Sequence, residues 1–176
     1  MNRKITDVDV QIMAEIAATL ESDYSDETRE EAWAGSPFHW IPKQAPRRIA
    51  TVGEELVRRW CVAKGLTVAS ATGKGADLVI EGHRVRLKRA TLSEGKYIIN
   101  QIRDEDFEYV MFLGLSPFNA HCWVIPKHVA IDQSSVQHGP RTEWTTFSPE
   151  DPPAWLRSYG GTLSEAFAVL QRLTAR

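Results

Sequence analysis

The side chains best placed to do chemistry lie in residues 75–88, whose pattern predicts two short strands joined by a tight turn at residues 81–82. A two-residue turn fixes the pairing of the strands, and counting back from it places Asp77 directly across from Arg86. Side chains alternate along a strand, so Arg86 and Lys88 lie on the same face as Asp77. The segment therefore predicts an acidic residue and a lysine together on one side of a hairpin.

This combination suits metal-dependent hydrolysis of a phosphodiester. Mg²⁺ prefers hard oxygen ligands such as carboxylates, and a nearby cation can assist the attacking water or stabilise charge on the phosphate oxygens. Such a site takes an aspartate from one strand and, from the next, an acidic residue two positions before the lysine. In this chain Arg86 holds that second acidic position, so function depends on what Arg86 does to Asp77.

Hydrophobic periodicity and turn signals place the hairpin within a series of helices and strands. Two capping boxes, Thr51–Glu54 and Thr162–Glu165, predict the starts of two helices, and Gly65 predicts the end of the first. The other predicted elements are a helix over 7–20, a strand over 66–69, a short helix over 97–103, and strands over 109–115, 121–125 and 144–147.

The order of these elements predicts an α/β fold with a central mixed β-sheet flanked by helices. A length of 176 residues fits one domain with small additions. We expect residues 1–50 to form an N-terminal helix and an aromatic extension packed on the core. Residues 51–176 are expected to form the main domain, and the two parts to make one structural unit.

The segment from Asp77 to Lys88 resembles the motif of the PD-(D/E)xK nucleases, the restriction-endonuclease-like superfamily. The resemblance runs roughly from Trp33 to the C-terminus and points to a bacterial subgroup of restriction-type proteins. Besides the motif, the stretches that carry it are 36–41, 53–57, 100–103, 113–118, 121–127 and 159–163. The resemblance implies a restriction-endonuclease-like core and double-stranded DNA as the substrate.

The resemblance also implies roles for individual residues. Asp77 takes the place of the metal-binding aspartate, and Lys88 that of the lysine that positions or activates the attacking water. Glu54 is a candidate second ligand for Mg²⁺ from the first helix of the domain, and Gln101 is the polar residue of the following helix. Arg86 stands where the superfamily has glutamate or aspartate.

Arg86 leaves three explanations open, because a guanidinium opposite Asp77 attracts its carboxylate and repels Mg²⁺. The site is lost and the protein is a pseudo-nuclease; or Arg86 is an introduced, inactivating substitution; or the second carboxylate has moved elsewhere. The candidates for a moved carboxylate are Glu54, Glu55, Glu81 and Glu94.

Basic residues near the motif are candidates for contacts with DNA phosphates, which give affinity without reading sequence. These candidates are Lys43, Arg47, Arg48, Arg84 and Arg89. Many nucleases of this type cut both strands as dimers, so the resemblance also implies a homodimer or a partner subunit.

Composition narrows the classes of protein to consider. The net charge of −2 argues against a protein that coats nucleic acid indiscriminately, although it permits a local basic patch. The two cysteines, Cys61 and Cys122, are far apart in sequence, which argues against a disulfide scaffold or a structural zinc site. No apolar run is long enough for a signal peptide or a membrane span, so we expect a cytoplasmic protein with no membrane partner.

Three functional hypotheses follow from these features, of which the third is a structural interaction module that keeps the fold and makes no contact with nucleic acid. The first is a DNA-acting, restriction-endonuclease-like enzyme that hydrolyses phosphodiesters with Mg²⁺ in restriction or defence against foreign DNA. The alternative is a catalytically inactive pseudo-nuclease that binds DNA or a partner subunit, with Arg86 in place of the metal-binding carboxylate.

Overall fold

The structure, a computed structural model, describes residues 5–24, 33–100, 102–133 and 143–174. Its α-helices are α1 (Val8–Tyr24), α2 (Pro46–Ala63), α3 (Lys127–Gln133) and α4 (Leu163–Thr174). Its first four strands are β1 (Val68–Ser70), β2 (Leu78–Ile80), β3 (His83–Thr91) and β4 (Tyr97–Asn100). The remaining strands are β5 (Tyr109–Ser116), β6 (Asn119–Pro126), β7 (Glu143–Phe147) and β8 (Gly160–Thr162).

Six strands form one mixed sheet in the order β1-β2-β3-β5-β6-β8. Strands β3 and β5 run parallel, and every other neighbouring pair in this sheet is antiparallel. The remaining two strands, β4 and β7, pair with each other as a separate ribbon. The predicted fold class, an α/β fold with a central mixed sheet flanked by helices, is confirmed.

The central sheet has a core on each face, which is why β5 reads as an unbroken apolar run. Alternate side chains of β5 point to opposite faces: Met111 and Leu113 join the core that contains α1, α2 and α4. Val110 and Phe112 join the second core, which includes residues of β4 and β7. Strand β5, buried on both faces, is the parallel neighbour of β3.

The two predicted capping boxes have different outcomes. At the start of α4 the Glu165 N–H donates to the Thr162 hydroxyl over 3.1 Å, and the Thr162 N–H donates to the Glu165 carboxylate over 2.9 Å, so this box is confirmed. The box at Thr51 is wrong, because α2 begins at Pro46 and the Thr51 hydroxyl donates back to the carbonyl of Arg47 within the helix. Proline fits the first helical position, where its missing N–H costs nothing.

The segment predicted as a short helix over 97–103 begins as strand β4 instead. Tyr97 and Ile99 are buried, whereas Ile98 and Asn100 are exposed, which is the period-two pattern of a strand with one covered face. Two consecutive β-branched isoleucines favour that conformation.

The N-terminal part packs on the rest of the structure. Helix α1 contacts α2 and α4, and its buried side chains belong to the same core as the helix side of the sheet. The division at residues 50 and 51 falls inside α2, and the domain description stays a prediction. In the part of the chain described, none of the helices has the length and apolarity that a membrane crossing requires.

Candidate active site

The hairpin β2–β3 has the predicted register. Ile80 pairs with His83, and Val79 pairs with Arg84. The two turn residues, Glu81 and Gly82, have φ angles of 49° and 85°, as a type I′ turn requires, and the twist of that turn matches the twist of the strands. The turn therefore fixes which residues of β3 face the end of β2.

Asp77 meets Arg86 at the end of this hairpin. The Asp77 Oδ1 atom lies 3.5 Å from Nη1 of Arg86, and both side chains are about one-third exposed (31% and 32%). The other carboxylate oxygen, Oδ2, accepts the backbone N–H of Leu87 over 2.7 Å. Both oxygens that would be offered to a metal ion therefore already have partners within the protein.

Lys88 is more enclosed than a surface lysine. Burial lowers the pKa of its ammonium below the ordinary value of 10.5, and the Arg86 guanidinium lowers it further. The carboxylates of Asp77 and Glu105 act in the opposite direction and raise it. The structure thus brings Asp77, Arg86 and Lys88 into one electrostatic neighbourhood, as the sequence predicted.

Glu105 is a member of this neighbourhood that sequence reasoning missed. It lies in the segment before β5, within the acidic run Asp104-Glu105-Asp106, and is half-buried. The segment around Glu105 shows no strand or helix periodicity from which its position could be predicted. The one signal in the sequence is the acidic run shortly before a buried strand.

The glutamates considered as metal ligands have other partners. On α2, Glu54 pairs with Nη2 of Arg58 at 3.0 Å, and the neighbouring Glu55 pairs with Arg59 at 3.1 Å. The Glu81 carboxylate accepts the backbone N–H of Thr67. Each of these three glutamates is thus engaged in a structural contact that does not involve Asp77.

Glu94, the fourth candidate for the moved carboxylate, is exposed in the turn after β3, with φ of 49°. Gln101, the polar residue expected on a following helix, lies outside the described residues.

These side chains do not fit an Mg²⁺ site as they stand. Within residues 5–24, 33–100, 102–133 and 143–174, no three His, Cys, Asp or Glu side chains lie close enough together to hold a metal ion. Arg86, at the position where the resemblance predicts a second carboxylate, is a cation and pairs with Asp77. A hard divalent cation needs several oxygen ligands, and a guanidinium opposes it.

Arg84, a predicted DNA contact, is bound within the protein. Its guanidinium donates to the backbone carbonyls of Thr72, Lys74 and Asp106 over 3.1 to 3.2 Å, and it also pairs with the Asp106 carboxylate. It thereby fastens the loop before β2 to the segment before β5. Gly75 permits this close approach, because a Cβ there would lie 2.5 Å from the Asp106 backbone nitrogen.

The other basic candidates lie near the start of α2. Lys43 ends a short 3₁₀ helix and is half-buried, and Arg47 and Arg48 are exposed in the first turn of α2. Arg89, on β3, reaches the same turn, and its Nη2 atom donates to the carbonyl of Pro46 over 3.2 Å. Four of the five residues predicted to bind DNA are therefore found at or beside the start of α2.

The chain is similar in structure to a bacterial homing endonuclease, I-Ssp6803I, with a TM-score of 0.52 and 18% sequence identity. The similarity covers 74% of this chain and 94% of that one. At this identity it shows a shared fold, so the predicted nuclease-like fold is confirmed. The narrower assignment to the PD-(D/E)xK superfamily stays a prediction. No protein-family model and no curated protein matches the chain.

Proposed function

We propose that this protein binds double-stranded DNA through a nuclease-like fold without metal-dependent hydrolysis at its motif site. The observation that carries the proposal is the pairing of Asp77, whose two carboxylate oxygens meet Arg86 and the N–H of Leu87. A carboxylate in these contacts is a poor ligand for Mg²⁺. These contacts involve only Asp77, Arg86 and Leu87, so they do not prevent a duplex from binding elsewhere on the surface.

The basic side chains at the start of α2 support DNA as the partner. Arg47 and Arg48 are exposed, and Lys43 and Arg89 lie close to the same turn. With a net charge of −2 over the chain, such a local concentration of cations gives one face a positive potential. Contacts of this kind bind the phosphate backbone and depend strongly on salt.

A second candidate function is Mg²⁺-dependent cleavage of DNA, in restriction or defence against foreign DNA. The observation in its favour is Lys88, whose lowered pKa brings its ammonium closer to the range useful for proton transfer. Its neighbours Asp77 and Glu105 are two carboxylates near one lysine. Cleavage would require Arg86 to leave Asp77 when DNA binds.

Fluorescence anisotropy with a labelled duplex tests the first proposal. We expect binding in EDTA that equals binding in Mg²⁺ and weakens steeply with salt. Replacing Lys43, Arg47 and Arg48 together by glutamine should lower the magnitude of the slope of log K against log salt by about 0.9 for each phosphate that the variant no longer neutralises. The matched control replaces three other cations, each engaged within its own helix or turn, by glutamine: Arg59, Arg157 and Arg172. Equal losses of affinity in both triple variants would contradict the proposed surface.

Incubation with supercoiled plasmid in Mg²⁺ or Mn²⁺ separates the two functions. The DNA-binding proposal expects no nicking at concentrations where anisotropy shows the duplex bound. Metal-dependent nicking that disappears in Lys88→Ala would instead establish the second candidate. Plasmids with and without base modification should both be used, since a defence enzyme can require either.

A further inference from the structure

A cleft of about 390 Å³ lies between the first turn of α2 and the end of β3. This volume is at the lower end of the range for ligand-binding pockets, roughly 300–1,000 Å³. Its lining includes two cations, polar side chains and an apolar contact: Lys88, Arg89, Ser93, Asn100 and Ile98. None of the described residues that line it is acidic, so the cleft favours an anion.

Arg89 is held in place as one wall of this cleft. Its side chain lies across α2 at Gly53, where a Cβ would be only 2.6 Å from the Arg89 Cδ atom. Its Nη2 atom donates to the carbonyl of Pro46, also in the lining. Its Nε atom is buried, with no hydrogen-bond partner among the described residues. The guanidinium is therefore positioned in advance, and because Nε is buried, donation to a ligand in the cleft comes from the terminal Nη1 and Nη2 groups.

The start of α2 adds positive potential to the cleft. Pro46 is the first residue of the helix, and Ala45 before it offers no side-chain oxygen to cap the free N–H groups of the first turn. Uncapped N–H groups and the helix dipole favour a negative group nearby. This contribution supplements the positive charge of Lys88 and Arg89, which the nearby Asp77 carboxylate partly offsets.

The apolar part of the lining restricts the kind of anion. Ile98 is 40% exposed, and Ile49 also lines the cleft. Such a surface suits the carbon face of a sugar, whereas Ser93 and Asn100 can bond its oxygens or those of a phosphate. A phosphate attached to a sugar matches a lining that is part apolar and part polar better than a free inorganic ion does.

We propose that this cleft binds one backbone phosphate of a nucleic acid strand together with the adjoining sugar, with Arg89 as the residue that donates to the phosphate. The proposal rests on the proposed DNA-binding function and assigns it a specific contact. Lys88 contributes charge from the same cleft. Because Lys88 follows Arg86 by two positions on β3, the bound strand would pass beside the Asp77–Arg86 pair.

Two variants with matched controls test the proposal by anisotropy with a duplex over a series of salt concentrations. Arg89→Gln removes the cation, and Arg172→Gln removes one from α4, which packs near the other edge of the sheet. Ser93→Asp puts an anion at the exposed rim of the cleft without disturbing a buried side chain, and Ser158→Asp is its control on another exposed turn. Circular dichroism checks that each variant is folded.

We expect Arg89→Gln and Ser93→Asp each to weaken duplex binding about tenfold. Arg89→Gln should also lower the magnitude of the salt slope by about 0.9. Both controls should bind within about twofold of the wild type. The proposal is overturned if the wild type binds duplex and both cleft variants match their controls in affinity and slope. If Arg89→Gln does not fold, Ser93→Asp decides alone.

Two further outcomes separate this proposal from the function on which it rests. A wild-type protein that binds no duplex at low salt contradicts the proposed function, and the cleft assignment falls with it. Calorimetry with thymidine 5′-monophosphate tests whether the cleft binds a free nucleotide instead of a nucleic acid strand. Binding of that nucleotide more tightly than duplex, and absent in Arg89→Gln, would overturn the assignment to a nucleic acid strand.

Discussion

Arg86 lies 3.5 Å from Asp77, nitrogen to oxygen, at the position where the resemblance to metal-dependent nucleases predicts a second carboxylate. The distance is long for a hydrogen bond, and both groups are about one-third exposed, so water screens the pair. The stronger hold on Asp77 is the 2.7 Å bond from the Leu87 N–H to its other oxygen. The pair thus opposes metal binding mainly by placing a positive charge there.

Replacing that charge is the most direct examination of the site. In Arg86→Glu a second carboxylate faces Asp77, and Glu105 is near the same lysine. We expect Mn²⁺ and Mg²⁺ to bind at least about tenfold more tightly than to the wild type, since a repelling cation becomes an attracting anion about 4 Å away, partly screened by water. Isothermal titration calorimetry measures the change.

The control for this experiment is Arg86→Gln, which removes the cation without adding a carboxylate. It should gain less affinity than Arg86→Glu, because it relieves repulsion but supplies no charged ligand. If Arg86→Glu binds metal no better than the wild type, Asp77 is not at a metal position, and the assignment of the whole motif site fails.

Gly53→Ala tests whether the position of Arg89 matters for DNA binding. The new Cβ would lie 2.6 Å from Cδ of Arg89, so the arginine must move away from α2. Alanine favours a helix over glycine by about 1 kcal/mol, which offsets the cost of that movement in stability. We expect weaker duplex binding, by up to about tenfold, with a denaturation midpoint close to that of the wild type. Thr51→Ala, exposed on the same helix, should leave duplex binding unchanged.

Arg84 gives a prediction about local order, because its guanidinium joins the loop before β2 to the segment before β5. Arg84→Met keeps most of the side-chain length and removes every donor. We expect faster hydrogen exchange in residues 71–76 and a decrease of about 2 kcal/mol in the free energy of unfolding, since several backbone carbonyls lose a charged partner. Exchange that is unchanged in this loop would show that packing at Gly75 is sufficient to hold it.

The two capping sequences predict opposite effects for similar substitutions. Thr162→Ala should destabilise the protein by about 1 kcal/mol, because the Thr162 hydroxyl accepts the N–H of Glu165 at the start of α4. Thr51→Ala should be neutral or slightly stabilising, since Thr51 is inside α2 and alanine has the higher helix propensity. Urea denaturation of both variants measures the difference. A larger loss of stability in Thr51→Ala would contradict the observed start of α2.

The same contrast shows which parts of the structure local sequence determines. The β2–β3 register followed from a two-residue turn, and so did the meeting of Asp77 with Arg86. The start of α2 could not be found in this way, because Pro46 and Thr51 are both acceptable helix starts and only packing selects between them. The local sequence of β4 does not identify it as a strand, because its partner, β7, is distant in sequence.

The candidate site was predictable where it depends on the hairpin and unpredictable where it depends on tertiary structure. Asp77 and Lys88 come together through strand alternation. Glu105 and the cleft at Arg89 depend on how the segment before β5 and the first turn of α2 pack against β3. No local sequence pattern predicts these two contacts, because each joins segments that are separated by many residues.

The environment of the His121 imidazole leads to a prediction of how the stability of the folded protein depends on pH. Burial lowers the pKa of its imidazole below the ordinary 6.5, and it is enclosed by Trp123, stacked at 6.0 Å between ring centroids, and by Tyr97, whose hydroxyl lies 2.9 Å from Nδ1. The Asn119 amide nitrogen lies 3.4 Å from Nε2. The folded protein therefore keeps this imidazole neutral at a pH where the unfolded chain has begun to protonate it.

The sign follows from this difference in bound protons. Below about pH 6.5 the unfolded chain binds a proton at His121 that the folded protein does not, so stability falls as pH decreases from 6.5 toward the depressed pKa. We expect the urea midpoint to drop more between about pH 7.5 and pH 5 in the wild type than in His121→Gln, which has no titrating ring. Other titrating groups are common to both proteins and cancel in the comparison. Equal drops would mean that His121 is protonated in the folded protein as readily as in the unfolded chain.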